Sequence, residues 1–142
     1  MKNSKTAYIV IDTNVLISAA ILPQSKIGAL LEIVVDNFVI AQNESTFTEL
    51  ESRIHREKFD RYFGDDGRII FLTRLAQVVE NFPIKTQIQI SRDADDDKFI
   101  GLAIDSGATI LISGDLDLKD VKTHKGIEIL SPAQFFDRFK PK

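Results

Sequence analysis

Ile9-Val10-Ile11-Asp12-Thr13-Asn14, near the start of the chain, and Thr109-Ile110-Leu111-Ile112-Ser113-Gly114-Asp115, near its end, share one pattern: an unbroken apolar run that gives way to a carboxylate. Apolar runs without polar alternation mark strands covered on both faces, as in parallel sheets flanked by helices. In an open α/β sheet, ligands bind in the crevice outside the carboxyl ends of the strands, so acids delivered there from separate strands can meet in space. The expected fold class is therefore α/β with a central parallel sheet.

The rest of the chain fits that frame. Asn14 to Ala20 reads as helical. A second helix begins after Ser25 as N-cap and carries Ile27, Leu30, Leu31, Val34 and Val35 at amphipathic spacing. Asn37 to Ala41 is the next strand. Ser45 is expected to cap a helix reaching about Arg56, with Phe47, Leu50 and Ile54 on one buried stripe. Phe59, Tyr62 and Phe63 suggest a short helix. After the turn signal Gly64-Asp65-Asp66-Gly67, the run from Ile69 to Val79 predicts another, stopped by Pro83. Asp95 or Asp96 is expected to cap a helix over Lys98 to Ser106, ended by Gly107. Ile127 to Leu130 is a last strand, and Ser131-Pro132 opens a final helix bearing Phe135, Phe136 and Phe139. Strands separated by helices imply a parallel sheet with helices on both faces.

With 142 residues and 44% apolar content, a single domain over residues 1–142 is expected. The absence of cysteine excludes disulfides, thiolate zinc sites and thiol catalysis, and two histidines, His55 and His124, are too few for a histidine-rich centre. A net charge of −3 argues against coating nucleic acid through bulk positive charge. Yet Arg53, Arg56, Lys58, Arg61, Arg68 and Arg74 form a basic group, and acids gather at 93–97 and 115–120. The N-terminal residues lack a signal-peptide pattern, and the longest apolar stretch, Ile27 to Val35, falls short of the roughly 20 residues that span a bilayer. A cytoplasmic, non-membrane protein is expected.

Four places carry candidate chemistry. Asp12 ends a buried strand, where a lone carboxylate is costly unless paired, hydrogen-bonded or metal-bound; a helix N-cap is the plainer use. Its polar neighbours Thr13 and Asn14 are placed to orient it. Glu49 falls at the edge of the buried stripe of its helix, whereas Glu51, about 200° further round, faces water. Asp93-Ala94-Asp95-Asp96-Asp97 is strained by like charge unless a cation relieves it, and solvated capping aspartates are the alternative. Within this run the helical spacing to Phe99 and Ala103 turns Asp96 inward, while the roles of Asp93, Asp95 and Asp97 stay open. Asp115 or Asp117 follows the second strand through Ser113-Gly114. Hard oxygen ligands without thiols suit Mg²⁺ or Mn²⁺.

Val10-Ile11-Asp12-Thr13-Asn14-Val15-Leu16-Ile17-Ser18-Ala19, Glu49-Leu50 leading to Arg56-Glu57-Lys58-Phe59, Arg92-Asp93-Ala94-Asp95-Asp96-Asp97-Lys98-Phe99 and Ser113-Gly114-Asp115-Leu116-Asp117-Leu118 together resemble the PIN-domain nucleases, in particular the small prokaryotic toxins of toxin–antitoxin pairs. The resemblance runs over about residues 7 to 136. It implies a three-layer α/β/α, Rossmann-like PIN fold. It also implies an Mg²⁺- or Mn²⁺-dependent endoribonuclease that hydrolyses single-stranded RNA. Asp12, Glu49, Asp96 and Asp115 would be its catalytic, metal-binding acids, supported by Asn14, Asp93, Ser113 and Asp117. Serine at 113, where threonine is common, and alanine at 94, where proline is frequent, leave every carboxylate in place. Arg53, Arg56 and Lys98 are candidates for the RNA backbone. A small antitoxin protein and a homodimer are the implied partners. Two other readings compete: a non-catalytic PIN-like module that binds RNA or protein, and a Mg²⁺-dependent phosphatase. The latter usually carries a second Asp two residues after the nucleophile, where this chain has Asn14.

Overall fold

Tyr8–Ile11 forms β1 at the middle of the sheet, with Ile9 and Val10 fully buried, as its unbroken apolar run requires. The computed structural model describes residues 7–88, 94–114, 123–124 and 126–139; the side chains of 94–96 and 123–124 are not among the described groups. The elements after β1 are α1 (Thr13–Ile21), α2 (Lys26–Asn37), β2 (Val39–Gln42), α3 (Glu44–Ile54), a 3₁₀ turn (Glu57–Phe59) and α4 (Asp65–Val78). Then come β3 (Val79–Asn81), α5 (Ala94–Ser106), β4 (Ile110–Ile112), β5 (Thr123–His124), β6 (Ile127–Leu130) and α6 (Pro132–Phe139).

The sheet has the order β3-β2-β1-β4-β6-β5 and is parallel except for β5, which pairs antiparallel with β6. The chain winds from β1 outward to β2 and β3, then crosses back to β4 on the other side of β1. Right-handed crossovers running in opposite directions place their helices on opposite faces. Accordingly α1 to α4 and α6 cover one face, over Ile9, Ile11, Ile40, Ile110, Ile112 and Leu130. The other face carries α5, with Phe99, Ile100, Leu102 and Ala103 against Val10, Ala41, Leu111, Ile127 and Ile129. Successive strand residues go to opposite clusters, which is the two-sided burial that removed polar alternation from β1 and β4.

Local chemistry sets the helix ends. Ser25 accepts the Gly28 N–H at 3.4 Å to cap α2. Gly28 is needed because a Cβ there would come within 2.2 Å of the Pro23 carbonyl oxygen. Ser131 and Gln134 form a reciprocal cap on α6, at 3.1 and 2.8 Å, aiming Phe135 and Phe139 at Phe38. Gly107, at φ +73°, ends α5 in the left-handed conformation.

The fold departs from the sequence expectation in several places. The expected turn at Gly64–Gly67 is instead the N-cap and first turn of α4, and α5 starts at Ala94, ahead of the cap expected at Asp95 or Asp96. Val79 leaves the helix for a strand, because the tail Val79-Glu80-Asn81 pairs with Ile40, Ala41 and Gln42 at the sheet edge. Thr123–His124 adds an antiparallel edge strand through the turn at Gly126, φ +80°, so the sheet is mixed. The N-cap of α3 is Asn43, not Ser45: Asn43 and Thr46 exchange bonds at 2.8 and 3.1 Å in a capping box. The predicted helix around Phe59–Phe63 shrinks to the 3₁₀ turn, gathered round Arg68. That guanidinium, 3% exposed, donates to the carbonyls of Ile54 at 2.7 Å and Arg56 at 3.3 Å and to Asp60 Oδ1 at 2.7 Å. Arg68 is thus an internal clamp rather than part of a basic surface.

Among the described residues no single helix is long and apolar enough to cross a membrane. The α1–α2 pair has the composition, but it bends by 114° and packs its apolar residues on the sheet.

Candidate active site at the switch point of the sheet

The order of the strands reverses between β1 and β4, which is where an open α/β sheet leaves a crevice beyond its carboxyl ends. The register pairs Ile11 with Ile112 and so brings the next residues, Asp12 and Ser113, side by side at that crevice. Asp12 donates its backbone N–H to the Ile112 carbonyl at 3.0 Å, still holding the ladder. Its side chain then serves two elements at once. Oδ1 accepts the Val15 N–H at 2.9 Å, capping α1, and Oδ2 accepts the Ser113 hydroxyl at 2.5 Å. Asp12 is 6% exposed and Ser113 is fully buried. Both sequence readings of Asp12 therefore hold together: it is the helix cap and it is a buried, oriented carboxylate. Asn14, by contrast, is exposed, and the neighbour buried beside Asp12 is Thr13.

On the next strand over, β2 ends in a buried polar group of Gln42, Asn43 and Thr46, in which the Thr46 hydroxyl donates to Gln42 Oε1. The capping box there starts α3 at the same edge and carries Glu49 one turn on. Glu49 is 9% exposed, while Glu51 is exposed, as the stripe of α3 requires. Arg53 Nη1 lies 3.0 Å from Glu49 Oε1, and Lys98 Nζ, from α5, pairs with Oε2. Oε2 is shielded from solvent and accepts no hydrogen bond of ordinary geometry among the described residues, so the lysine balances its charge as an ion. Arg56 is exposed, its carbonyl taken by Arg68.

The third approach to the edge is the first turn of α5. This helix begins at Ala94, placing 95–97 in the turn where aspartates gain from the helix dipole. Asp97, whose role the sequence left open, is 5% exposed and lines a cavity of about 260 Å³ with Asn43, Ser45, Thr86 and Lys98. Its burial was visible only through the packing of 84–88 along α5, which periodicity does not encode. That packing is fixed by Asp105, which accepts the backbone N–H groups of Lys85 at 2.9 Å and Thr86 at 3.2 Å and the Thr86 hydroxyl at 2.6 Å. Burial pushes the Asp105 carboxyl up, but these donors together hold it below the usual carboxylate range.

Asp93, Asp115 and Asp117 lie outside the described residues, as does the side chain of Asp96. Among the described residues no three acidic or histidine side chains converge as a finished cation cage. What is described fits a hard cation in kind: an oriented buried carboxylate, a second carboxylate whose shielded oxygen already faces a positive charge, and oxygen donors throughout.

A three-layer α/β/α domain wound about a switch point in a largely parallel sheet is of the Rossmann-like fold class. The sequence signature of the PIN domain matches residues 8–117, and the chain belongs to the PIN-domain family, whose members are generally nucleases. It is similar to the uncharacterized protein MJ1680 of Methanocaldococcus jannaschii, with 30% identity over 93% of this chain and 91% of that one. Its fold is similar to the crystal structure of VapBC2 from Rickettsia felis bound to a DNA fragment from their promoter. There the TM-score is 0.61 at 14% identity, covering 87% of this chain and 98% of the other.

Proposed function

We propose that this chain is a single-domain, Mg²⁺- or Mn²⁺-dependent endoribonuclease that cuts single-stranded RNA in the cytoplasm and acts as the toxin of a toxin–antitoxin pair. The observation that carries this reading is Asp12: a buried carboxylate locked by Ser113 and by the start of α1 at the switch point, where a ligand would enter. Asp12, Glu49, Asp96 and Asp115 would hold the cation, with Ser113 fixing Asp12 and with Asn14, Asp93 and Asp117 nearby in sequence. The bound metal would supply an activated water and stabilise charge on the cleaved phosphodiester. The chain's own acids would stay ionised and serve as ligands. Ser113 would spend its proton on Asp12 Oδ2 and so restrict that oxygen to one direction, which is what a preorganised site requires.

Arg53, Arg56 and Lys98 supply the cations for the RNA backbone. An antitoxin of small size, and a second copy of the chain, are the protein partners. The fold shared with a VapBC complex supports the toxin assignment as a proposal.

The test is cleavage of a panel of single-stranded RNAs by the purified chain in Mn²⁺, Mg²⁺ or EDTA, beside Asp12→Asn. Metal-dependent cutting that disappears in the variant supports the nuclease. Binding of RNA without cutting, equal in both forms, moves the chain to the class of non-catalytic PIN-like binding modules. A short reading frame immediately upstream whose product copurifies with the chain and silences it would establish the toxin role.

A further inference from the structure

Glu49 stands between two cations that are not equivalent. Arg53 lies one turn along the same helix, so its pair with Oε1 forms wherever α3 is formed. Lys98 comes from α5, on the opposite face of the sheet, and reaches past the carboxyl edge to Oε2. The side chains of Glu49 and Lys98 are 9% and 24% exposed, so this pair is largely withdrawn from water. Oε2 has no hydrogen bond of ordinary geometry among the described residues; the ammonium is what makes its burial tolerable. A carboxylate read as a ligand for a divalent cation therefore already holds a monovalent cation that belongs to the chain.

We propose that Lys98 is a built-in competitor of the metal for Glu49, an idea that rests on the reading of Glu49 as a metal ligand. A divalent ion and an ammonium cannot share one shielded oxygen without strong like-charge repulsion in a region of low effective dielectric. Lysine is suited to exchange: its charge is compact and its stem turns freely, whereas the arginine fork stays tied to its own helix. Without metal, Lys98 ties α3 to α5 and neutralises the acidic edge. When the metal enters, the ammonium leaves Oε2 and becomes available to a phosphate of the bound RNA. The cost is weaker metal binding than the same acids would give alone.

The experiment is calorimetric titration of the full chain with Mn²⁺, paired with thermal unfolding in EDTA and in Mn²⁺, for the wild type, Lys98→Met, Lys98→Gln and Glu49→Gln. The two Lys98 variants are expected to bind Mn²⁺ several-fold more tightly than wild type. They should also melt at lower temperature in EDTA and regain that loss in Mn²⁺. A Lys98 variant that unfolds in EDTA yet melts cooperatively with Mn²⁺ gives the same support in stronger form. Unchanged or weaker Mn²⁺ affinity in the folded Lys98 variants overturns the competition. If in that case Glu49→Gln still weakens Mn²⁺ binding, the ligand assignment survives and only the competition is lost. If Glu49→Gln binds Mn²⁺ as wild type does, or no form binds it, the ligand assignment falls together with the competition.

Discussion

Asp12→Asn and Asp12→Ala separate the two tasks that meet in one side chain. Asparagine is as good an N-cap as aspartate, so its side-chain oxygen can keep the 2.9 Å bond from the Val15 N–H. Its amide nitrogen faces Ser113, whose hydroxyl can turn from donor to acceptor. Stability should therefore change by about 1 kcal/mol, the loss of charge assistance in its two bonds. Alanine removes the cap, worth about 1 kcal/mol, and takes from the buried Ser113 hydroxyl its charge-assisted bond to Asp12 Oδ2, a further ~1–3 kcal/mol. The sum is roughly 2–4 kcal/mol of destabilisation. Urea unfolding in EDTA measures both variants, and cleavage of single-stranded RNA in Mn²⁺ is followed on the same preparations. The expected result is a folded, near-wild-type but inactive asparagine variant and an inactive, clearly destabilised alanine variant. Substantial cleavage by Asp12→Asn would refute the assignment of its charge to the metal. Equal destabilisation of the two variants would refute the division between cap and charge.

Two further outcomes concern groups outside the candidate metal ligands. Asp105→Ala should cost about 1–3 kcal/mol by removing the acceptor for the Lys85 and Thr86 donors. Because the folded carboxyl of Asp105 titrates below its unfolded value, its contribution is present above the unfolded pKa of about 3.8 and is lost as pH falls through the lower folded value; the gap between wild type and variant in urea unfolding should be constant at neutral pH and close below pH 4. Arg68→Met should cost about 1–3 kcal/mol, since it leaves the carbonyl of the buried Ile54 without its donor, while Asp60, 61% exposed, turns to water. A loss under 1 kcal/mol in denaturant melts would return Arg68 to the surface.

The central strands and α2, α5 and α6 were legible because their signals are local: an unbroken apolar run, a serine cap, a proline at N1 or a glycine at the end. The failures share a different cause. Val79-Glu80-Asn81 continues a helical spacing as well as it begins a strand, and only the partner Ile40–Gln42 decides between them. The two residues of β5 are too few to carry a period at all. The burial of Asp12 and Glu49 at the sheet edge was legible because each follows or borders a buried run, whereas Ser113 was named through the family resemblance. Asp97 and Arg68 were not, because their burial comes from segments that pass over them from elsewhere in the chain. Position in sequence names the acid that ends a strand; it does not name the charge that a distant loop covers.

The lopsided layering of the sheet has a bearing on how the site lives and dies. On one face α1, α2, α3, α4 and α6 share the apolar contact, whereas on the other, among the described residues, α5 is the helix, clipped by Asp105 to the segment ahead of it. Stability in such a body is uneven, and a unit with fewer packed neighbours detaches at lower free energy than the whole unfolds. Asp12 and Glu49 belong to the thick side, Lys98 and the 94–97 turn to the thin one. A partial opening that leaves most of the molecule intact would thus split the acidic edge in two, so the pocket reports on the fastening of its lightest layer long before the global fold is lost.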